Sequence, residues 1–417
     1  MQFLANFVYI CMIRLMINSQ SWHPFIMISL ALIMGTIGTA LSSPLYPIYQ
    51  EVWHLLPSHI TYIFVAYMFG CLATLLFLGR TSDSFGFLKT LQIGMLFVIL
   101  GLTLSAFSPN ATILSIARFL IGIASGLIST SAMLGLFATI PENHKNNVAQ
   151  LCSIITVIGF GLGPLIGGFI AQFSSLPLIT TYIPIIIGAI ICLIGLFTLN
   201  IEKVSYKPFS IAPHLQLPAP PFTTLFYIAG FSAFSAFASF SLFASLAPSF
   251  VKEAIPWHGP LVSGSAIASI LLISAITQFC AKKIPPKISV KFGLSTLILS
   301  YILLSLCMVM HWSILFFISD ILVGIGHGLC LIGAFSLIHK MTNLDNRAAV
   351  MSTYLFIGYL GTIIPIIGVG FLADHFGFIA GVLGFCISVG LLCLGLLTLL
   401  KIVKDVKYYN STSKKQP

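Results

Sequence analysis

Charge is scarce in this chain. Of its 417 residues only 7% are Asp, Glu, Lys or Arg, where a soluble domain carries roughly 25%. A water-soluble protein of this length could not cover its surface with so few, and 58% hydrophobic residues complete that exclusion. Acids are the rarest charges, 9 against 19 Lys and Arg. No paired carboxylates or His-rich run suggest a membrane-embedded enzyme, and no filter-like loop suggests a channel. The nine cysteines stand singly in apolar stretches, with no Cys-x-x-Cys or Cys/His set. They read as small core hydrophobes, so neither a metal nor another cofactor is expected. No small-residue cleavage site precedes the first long apolar run convincingly, so no signal peptide is expected.

What remains is apolar sequence in spans of bilayer length. At roughly 20 residues per crossing, twelve candidates emerge: 25–48, 59–79, 88–107, 111–139, 147–172 and 177–199, then 222–249, 259–280, 290–310, 313–338, 348–371 and 378–401. Residues 200–221 hold Glu202, Lys203, Lys207 and five prolines, and read as an exposed linker between two halves. The expected domains are 1–199, with 1–22 as an uncertain extension, and 222–402, followed by a tail at 403–417. Residues 3–13 are apolar but too short to span; an interfacial helix or a true start at Met12 or Met16 accounts for them equally.

The nineteen basic residues are not scattered. Seventeen fall in segments of one parity, from Arg14 through Arg80, Lys89, Lys145, the linker, Lys282–Lys291, Lys340 and Arg347 to the tail. The opposite loops contain only Lys252, and Arg118 lies inside a span. That asymmetry places both termini and the linker in the cytoplasm. The excess of positive charge is thus a topogenic signal, and no nucleic-acid partner is expected.

The halves also repeat. Arg118-Phe-Leu-Ile-Gly122-Ile-Ala-Ser-Gly126 is matched 202 positions later by Asp320-Ile-Leu-Val-Gly324-Ile-Gly-His327-Gly328. Parallel repeats of this kind are a mark of secondary transporters, whose substrate site lies between the halves. Between spans two and three stand Gly79, Arg80, Asp83, Gly86 and Lys89. Small residues there permit a tight turn, and Asp83 can accept backbone N–H groups at a neighbouring helix N-terminus. Span five carries Gly159, Gly161, Gly163, Pro164, Gly167 and Gly168. Glycines at i, i+4 and i+8 let helices approach closely in lipid, and Pro164 removes one backbone bond.

These residues resemble the signatures of the major facilitator superfamily. Gly79…Asp83…Gly86…Lys89 is similar to its loop 2–3 motif, Arg118…Gly122…Gly126 to its fourth-helix motif, and Gly159–Gly168 to the fifth-helix Gly-Pro-xx-Gly-Gly signature of proton-coupled drug antiporters. Ser84, Phe87 and Leu88 depart from the first motif where basic residues are usual, and the second-half counterpart, 282–291, has no acid. The resemblance covers essentially the whole chain. It implies an all-α membrane protein of twelve transmembrane helices in two pseudo-symmetric six-helix bundles, monomeric and set in the inner (plasma) membrane. Its partners would be protons, the lipid bilayer and a small-molecule substrate.

Only Arg118 and Asp320 lie clearly inside spans. A charge at a helix centre costs roughly 2.5–3.5 kcal/mol on insertion scales, so such residues usually face a cavity and work. Asp320 shares a helical face with Gly324 and His327. It is either the proton carrier or part of a structural hydrogen bond, and His327 either joins it or is a satisfied core histidine. Arg118 either holds an anionic substrate, supports the coupling acid or snorkels; the resemblance favours coupling. Span seven alternates Phe231, Phe234, Phe237, Phe240 and Phe243 with Ser232, Ser235, Ser239, Ser241 and Ser245. Phe231, Phe234 and Ser235 are candidate cavity residues for an apolar or aromatic compound, although a three-residue period drifts around a 3.6-residue helix. Tyr46, Tyr49, Gln50 and Glu51 either line an entrance or form an aromatic belt. The expected function is proton-coupled efflux of a small hydrophobic or amphipathic molecule, with nutrient import by proton symport as the alternative.

Overall fold

The structure is a computed structural model that describes residues 22–141, 144, 148–201, 210–213, 215–220, 222–246, 259–343 and 346–403. Arg14, Lys145, Lys203, Lys207, Lys252 and the basic tail beyond Val403 lie outside these residues, as does the 3–13 segment. Among the described residues twelve helices are long and apolar enough to cross a membrane. They are α1 (Trp22–Trp53), α2 (Pro57–Leu78), α3 (Phe87–Ala106), α4 (Ala111–Thr139), α5 (Val148–Phe173), α6 (Pro177–Phe197), α7 (Thr223–Ser245), α8 (Pro260–Lys283), α9 (Pro286–Met310), α10 (Ser313–Met341), α11 (Arg347–Phe376) and α12 (Phe378–Ile402). The described chain contains no strand, as expected where every backbone group must be satisfied without water.

Local chemistry sets the helix ends. Pro57, Pro177, Pro260 and Pro286 each occupy a first helical turn, where the missing N–H costs nothing. Asn110 caps α4 by accepting the Ile113 amide at 3.0 Å. Pro286 also explains one boundary difference: α9 begins there, four residues before the expected span at 290, so Lys287 belongs to its first turn and not to a loop. At the other end of the molecule α1 continues through a 3₁₀ turn at Ser43–Leu45 to Trp53.

Helices α1–α6 pack mainly among themselves, as do α7–α12. The sequence repeat becomes a packing repeat. A Cβ on Gly122 would collide with Tyr67 O and one on Gly126 with the Thr74 side chain, so α4 lies against α2. Gly324 and Gly328 press α10 onto α8 in the same way, against Ile270, Ile273 and Ser274. The halves meet along α2–α11 and α5–α8.

Arg80, Lys89, Lys282, Lys283, Lys287, Lys291, Lys340, Arg347 and Lys401 all lie at one end of the bundle, set by the alternation of the helices. We refer to it as the basic end. Outward faces carry large apolar side chains such as Ile191, Phe197, Ile387 and Leu391, the surface a hydrocarbon solvent requires. Seven of the eight described cysteines are buried, Cys280 is exposed, and none forms a disulfide.

Candidate functional site

A cavity of about 680 Å³ lies between the halves. Its wall runs from Thr39, Ser43 and Arg118 to Gly79, just past α2, and to Met133 and Leu134 near the end of α4 at the basic end. Phe237, Phe240, Ala244, Ile267, Leu271, His327 and Tyr359 form the opposite wall. The volume suits a drug-sized molecule. The α2 segment Thr74–Leu78 on this wall is wound as a π-helix, a form that recurs at functional sites.

The far end is closed. Backbones of the two halves touch there: a Cβ on Gly168 would collide with Pro260 O, and one on Gly264 with Pro164 O. The Ser58 amide in the first turn of α2 donates to Asp374 Oδ1 on α11 at 3.0 Å, so a carboxylate of one half sits on the positive end of a helix of the other. A pentapeptide pattern announces this contact. Asp83-Ser-Phe-Gly86-Phe and Asp374-His-Phe-Gly377-Phe share Asp-x-Phe-Gly-Phe, and Gly86 and Gly377 turn the chain with φ of 82° and 86°. The first lies at the basic end, where Asp83, Arg80 and Lys89 are exposed; the second lies at the closed far end.

A charge-assisted hydrogen bond contributes roughly 1.5–3 kcal/mol, so Asp374→Ala should favour opening of the far end by about 10- to 100-fold. Spin labels at Leu56 and Phe376, 53% and 70% exposed, should show a larger population of long distances in Asp374→Ala. An unchanged distance distribution would assign the closure to backbone packing alone.

Arg118 is 1% exposed. Its Nη1 donates to Thr39 O at 2.8 Å and its guanidinium lies 4.8 Å from the Tyr67 ring centroid. Asp320 is on the other half and does not meet it. Asp320 is 4% exposed, accepts from Ser269 Oγ at 2.5 Å through Oδ2, and has no hydrogen-bond partner at Oδ1. It sits in the α8–α10 seam and is not on the cavity wall. His327, two turns along the same helix, is on the wall, between the Phe237 and Phe240 rings at 6.0 and 6.1 Å. Its Nδ1 lies 2.8 Å from Ser274 Oγ, which also accepts from Gln278 Nε2 at 3.1 Å. The seam therefore holds two polar groups, Asp320 with Ser269 and, further along the helices, His327 with Ser274 and Gln278.

The aromatic candidates are placed differently from the sequence expectation. Phe237 and Phe240 line the cavity, whereas the candidates Tyr46, Phe231, Phe234 and Ser235 do not. The backbone of Phe234 is pressed against Gly361 of α11, the drift a 3.6-residue helix imposes on a three-residue period. The serines turn inward: Ser232, Ser235, Ser239, Ser241 and Ser245 are buried and bond carbonyls one turn back. Tyr46 and Tyr49 are 0% and 1% exposed, which overturns an aromatic belt. Tyr49 Oη lies 3.1 Å from Tyr182 Oη, which donates to Ser42 Oγ at 3.2 Å.

The α5 glycines serve two neighbours. Gly159, Gly163 and Gly167 face Thr36, Ile37 and Leu41 of α1 in the same half, while Gly161, the Pro164 carbonyl and Gly168 face α8 of the other. No cluster of three or more His, Cys, Asp or Glu suited to a metal occurs among the described residues.

A model of the Major Facilitator Superfamily matches residues 28–366. Curated relatives include the riboflavin transporter RibZ of Clostridioides difficile, 25% identical over 42% of this chain and 39% of that protein. Multidrug resistance protein 2 of Bacillus subtilis is 29% identical over 38% and 39%, and quinolone resistance protein NorA of Staphylococcus aureus 28% over 33% and 36%. The chain thus matches about two fifths of the length of these relatives. Among solved structures, a POT family transporter in complex with a thioalcohol conjugated peptide superposes with a TM-score of 0.72 at 16% identity, over 93% of this chain and 97% of that one. A bacterial homolog of the human lysosomal transporter Spinster, in an inward-facing and occupied conformation, gives 0.65 at 12%, over 92% and 96%. At these identities the superpositions speak to the fold alone.

Proposed function

Because the chain belongs to the Major Facilitator Superfamily, we propose that it is a secondary active transporter that exports a small hydrophobic or amphipathic molecule in exchange for protons. The observation that carries this reading is the apolar cavity between the halves, open toward the basic end and closed at the other. Taking the basic end as cytoplasmic, the structure is the inward-open state. Rocking of the halves would then part Gly168 from Pro260 and Ser58 from Asp374, and close the basic end. The hairpin with Gly79, Arg80, Asp83, Gly86 and Lys89 is proposed as the switch that holds the opposite state. Gly159, Gly163, Pro164, Gly167 and Gly168 are proposed as the packed and bendable helix the motion needs.

Asp320 is proposed as the proton carrier, with His327 and Ser274 as its polar path to the cavity and Arg118 as the cation on the opposite wall. Inward movement of a proton supplies about 2.3 kcal/mol per 100 mV of membrane potential. Multidrug and quinolone resistance proteins among the relatives favour export. A riboflavin transporter among them favours the second reading, nutrient import by symport. Everted membrane vesicles separate the two: export predicts accumulation of substrate with alkalinisation of the lumen, whereas import predicts that right-side-out vesicles accumulate it.

The orientation has its own test. Reporter fusions near Glu142, Pro208 and Asn343 should report cytoplasm, and fusions near Pro109, Ser175 and Trp257 the outside. A reversed pattern would exchange the inward-open assignment for outward-open and leave the fold untouched.

A further inference from the structure

The cavity wall is asymmetric in charge. Among the described residues lining it, Arg118 is the only Asp, Glu, Lys or Arg. Arg118 has only part of its donor capacity met: Nη1 reaches Thr39 O, while Nε is buried with no hydrogen-bond partner. Tyr46 stands beside it, fully buried and off the cavity wall. A buried donor without an acceptor is costly, so the unpartnered Nε of Arg118 marks a place where another acceptor belongs. The one buried carboxylate among the described residues, Asp320, is turned into the α8–α10 seam and cannot serve. Across the cavity Phe237, Phe240, Tyr359 and Leu271 offer an aromatic and aliphatic surface.

We propose that the cavity selects organic anions: molecules with an apolar, typically aromatic body against Phe237, Phe240 and Tyr359 and one carboxylate- or sulfonate-like head at Arg118. This deepens the transporter reading above and rests on it. A guanidinium offers a planar fork of donors suited to such a head. A wall with a cation and no carboxylate repels lipophilic cations by the same token. Exchange of one anion outward for one proton inward moves two positive charges' worth inward, so a negative-inside potential drives both legs of the exchange.

Three fluorescent probes share one body and linker and differ in the head: pyrenebutyrate, pyrenebutanol and pyrenebutylamine. Equilibrium dialysis with the purified full chain, at neutral pH and constant detergent, should show the acid bound at least about tenfold tighter than the other two. Arg118→Gln should weaken the acid by about tenfold or more, toward the level of the alcohol, and the alcohol far less, and Arg118→Lys should keep a preference for the acid. The proposal is overturned if the amine matches the acid, if wild type retains none of the probes, or if Arg118→Gln weakens all three alike. Where the Gln variant does not purify, wild-type selectivity decides. Proteoliposomes under a proton gradient separate this from the transporter reading. Gradient-driven movement of the amine and not the acid removes the charge assignment and leaves the transporter. Tight binding of the acid with no movement of any probe leaves the anion site and removes the transporter.

Discussion

Gly168→Leu is expected to abolish net transport, by at least about 100-fold, in protein that still inserts and purifies. Gly168 and Gly264 belong to different halves, and each is glycine where the other helix's backbone passes. A Cβ on Gly168 would meet Pro260 O and come within 3.1 Å of Leu261 Cα; one on Gly264 would meet Pro164 O and come within 3.3 Å of Gly168 Cα. Backbone cannot rotate aside as a side-chain tip can, so a leucine leaves the far end no way to close. Each half keeps its own packing, and the variant should be trapped open at that end. Gly168→Ala is milder, costing about 1–3 kcal/mol for the overpacked closed state, a shift of roughly 5- to 150-fold between states. Gly167→Leu should behave differently, because its side chain would strike Leu41 O on α1 within the same half; there folded protein and transport fall together. Pro164→Ala should alter the bias between states more than abundance, since it restores a backbone bond to Phe160, a residue on the cavity wall. Transport in proteoliposomes set beside gel-filtration recovery separates these cases, and wild-type transport by Gly168→Leu would remove α5–α8 contact from the cycle.

The fold was legible because a bilayer imposes so few solutions. Apolar runs of about 20 residues and the placement of basic residues locate twelve helices almost without help from side-chain detail. The errors are local and have causes. Pro286 starts α9 four residues before the apolar run does, since a helix can begin in water with lysines on its first turns. The site was less legible, because a cavity is made by helices that are distant in sequence. Phe231 and Phe237 look alike in a run of Phe and Ser, and only the neighbours of α7 decide that Phe237 meets the cavity. Tyr46 resembles an interfacial tyrosine by position in α1, but the 3₁₀ turn at Ser43–Leu45 carries it into the first half. Asp374 stands at the end of a long span, where only the Asp-x-Phe-Gly-Phe pattern it shares with Asp83 sets it apart. The π-helical turn at Thr74–Leu78 left no pattern that hydropathy detects.

Asp320→Asn is expected to remove pH-driven transport, again by about 100-fold or more, while substrate binding and substrate–substrate exchange persist. The substitution is nearly isosteric, and the amide oxygen can still accept from Ser269 Oγ, the one hydrogen bond that Asp320 makes. Packing in the α8–α10 seam therefore survives. What disappears is the capacity to exist in two charge states, and a carrier that cannot release its proton cannot couple a gradient to rocking. No other buried carboxylate among the described residues can substitute: Glu51 and Asp83 are exposed and Asp374 is half-buried at the far end. Asp320→Glu should keep part of the activity with a displaced pH optimum, because the longer side chain shifts the carboxyl relative to Ser269 Oγ. His327→Ala should slow coupling without erasing binding if His327 and Ser274 carry the proton between Asp320 and the cavity. Counterflow in proteoliposomes reports exchange, and uptake driven by an imposed pH step reports coupling. Parallel loss of both in Asp320→Asn would make the carboxylate a structural partner of Ser269, and full pH-driven uptake would move the coupling role to His327 or to protons borne by the substrate.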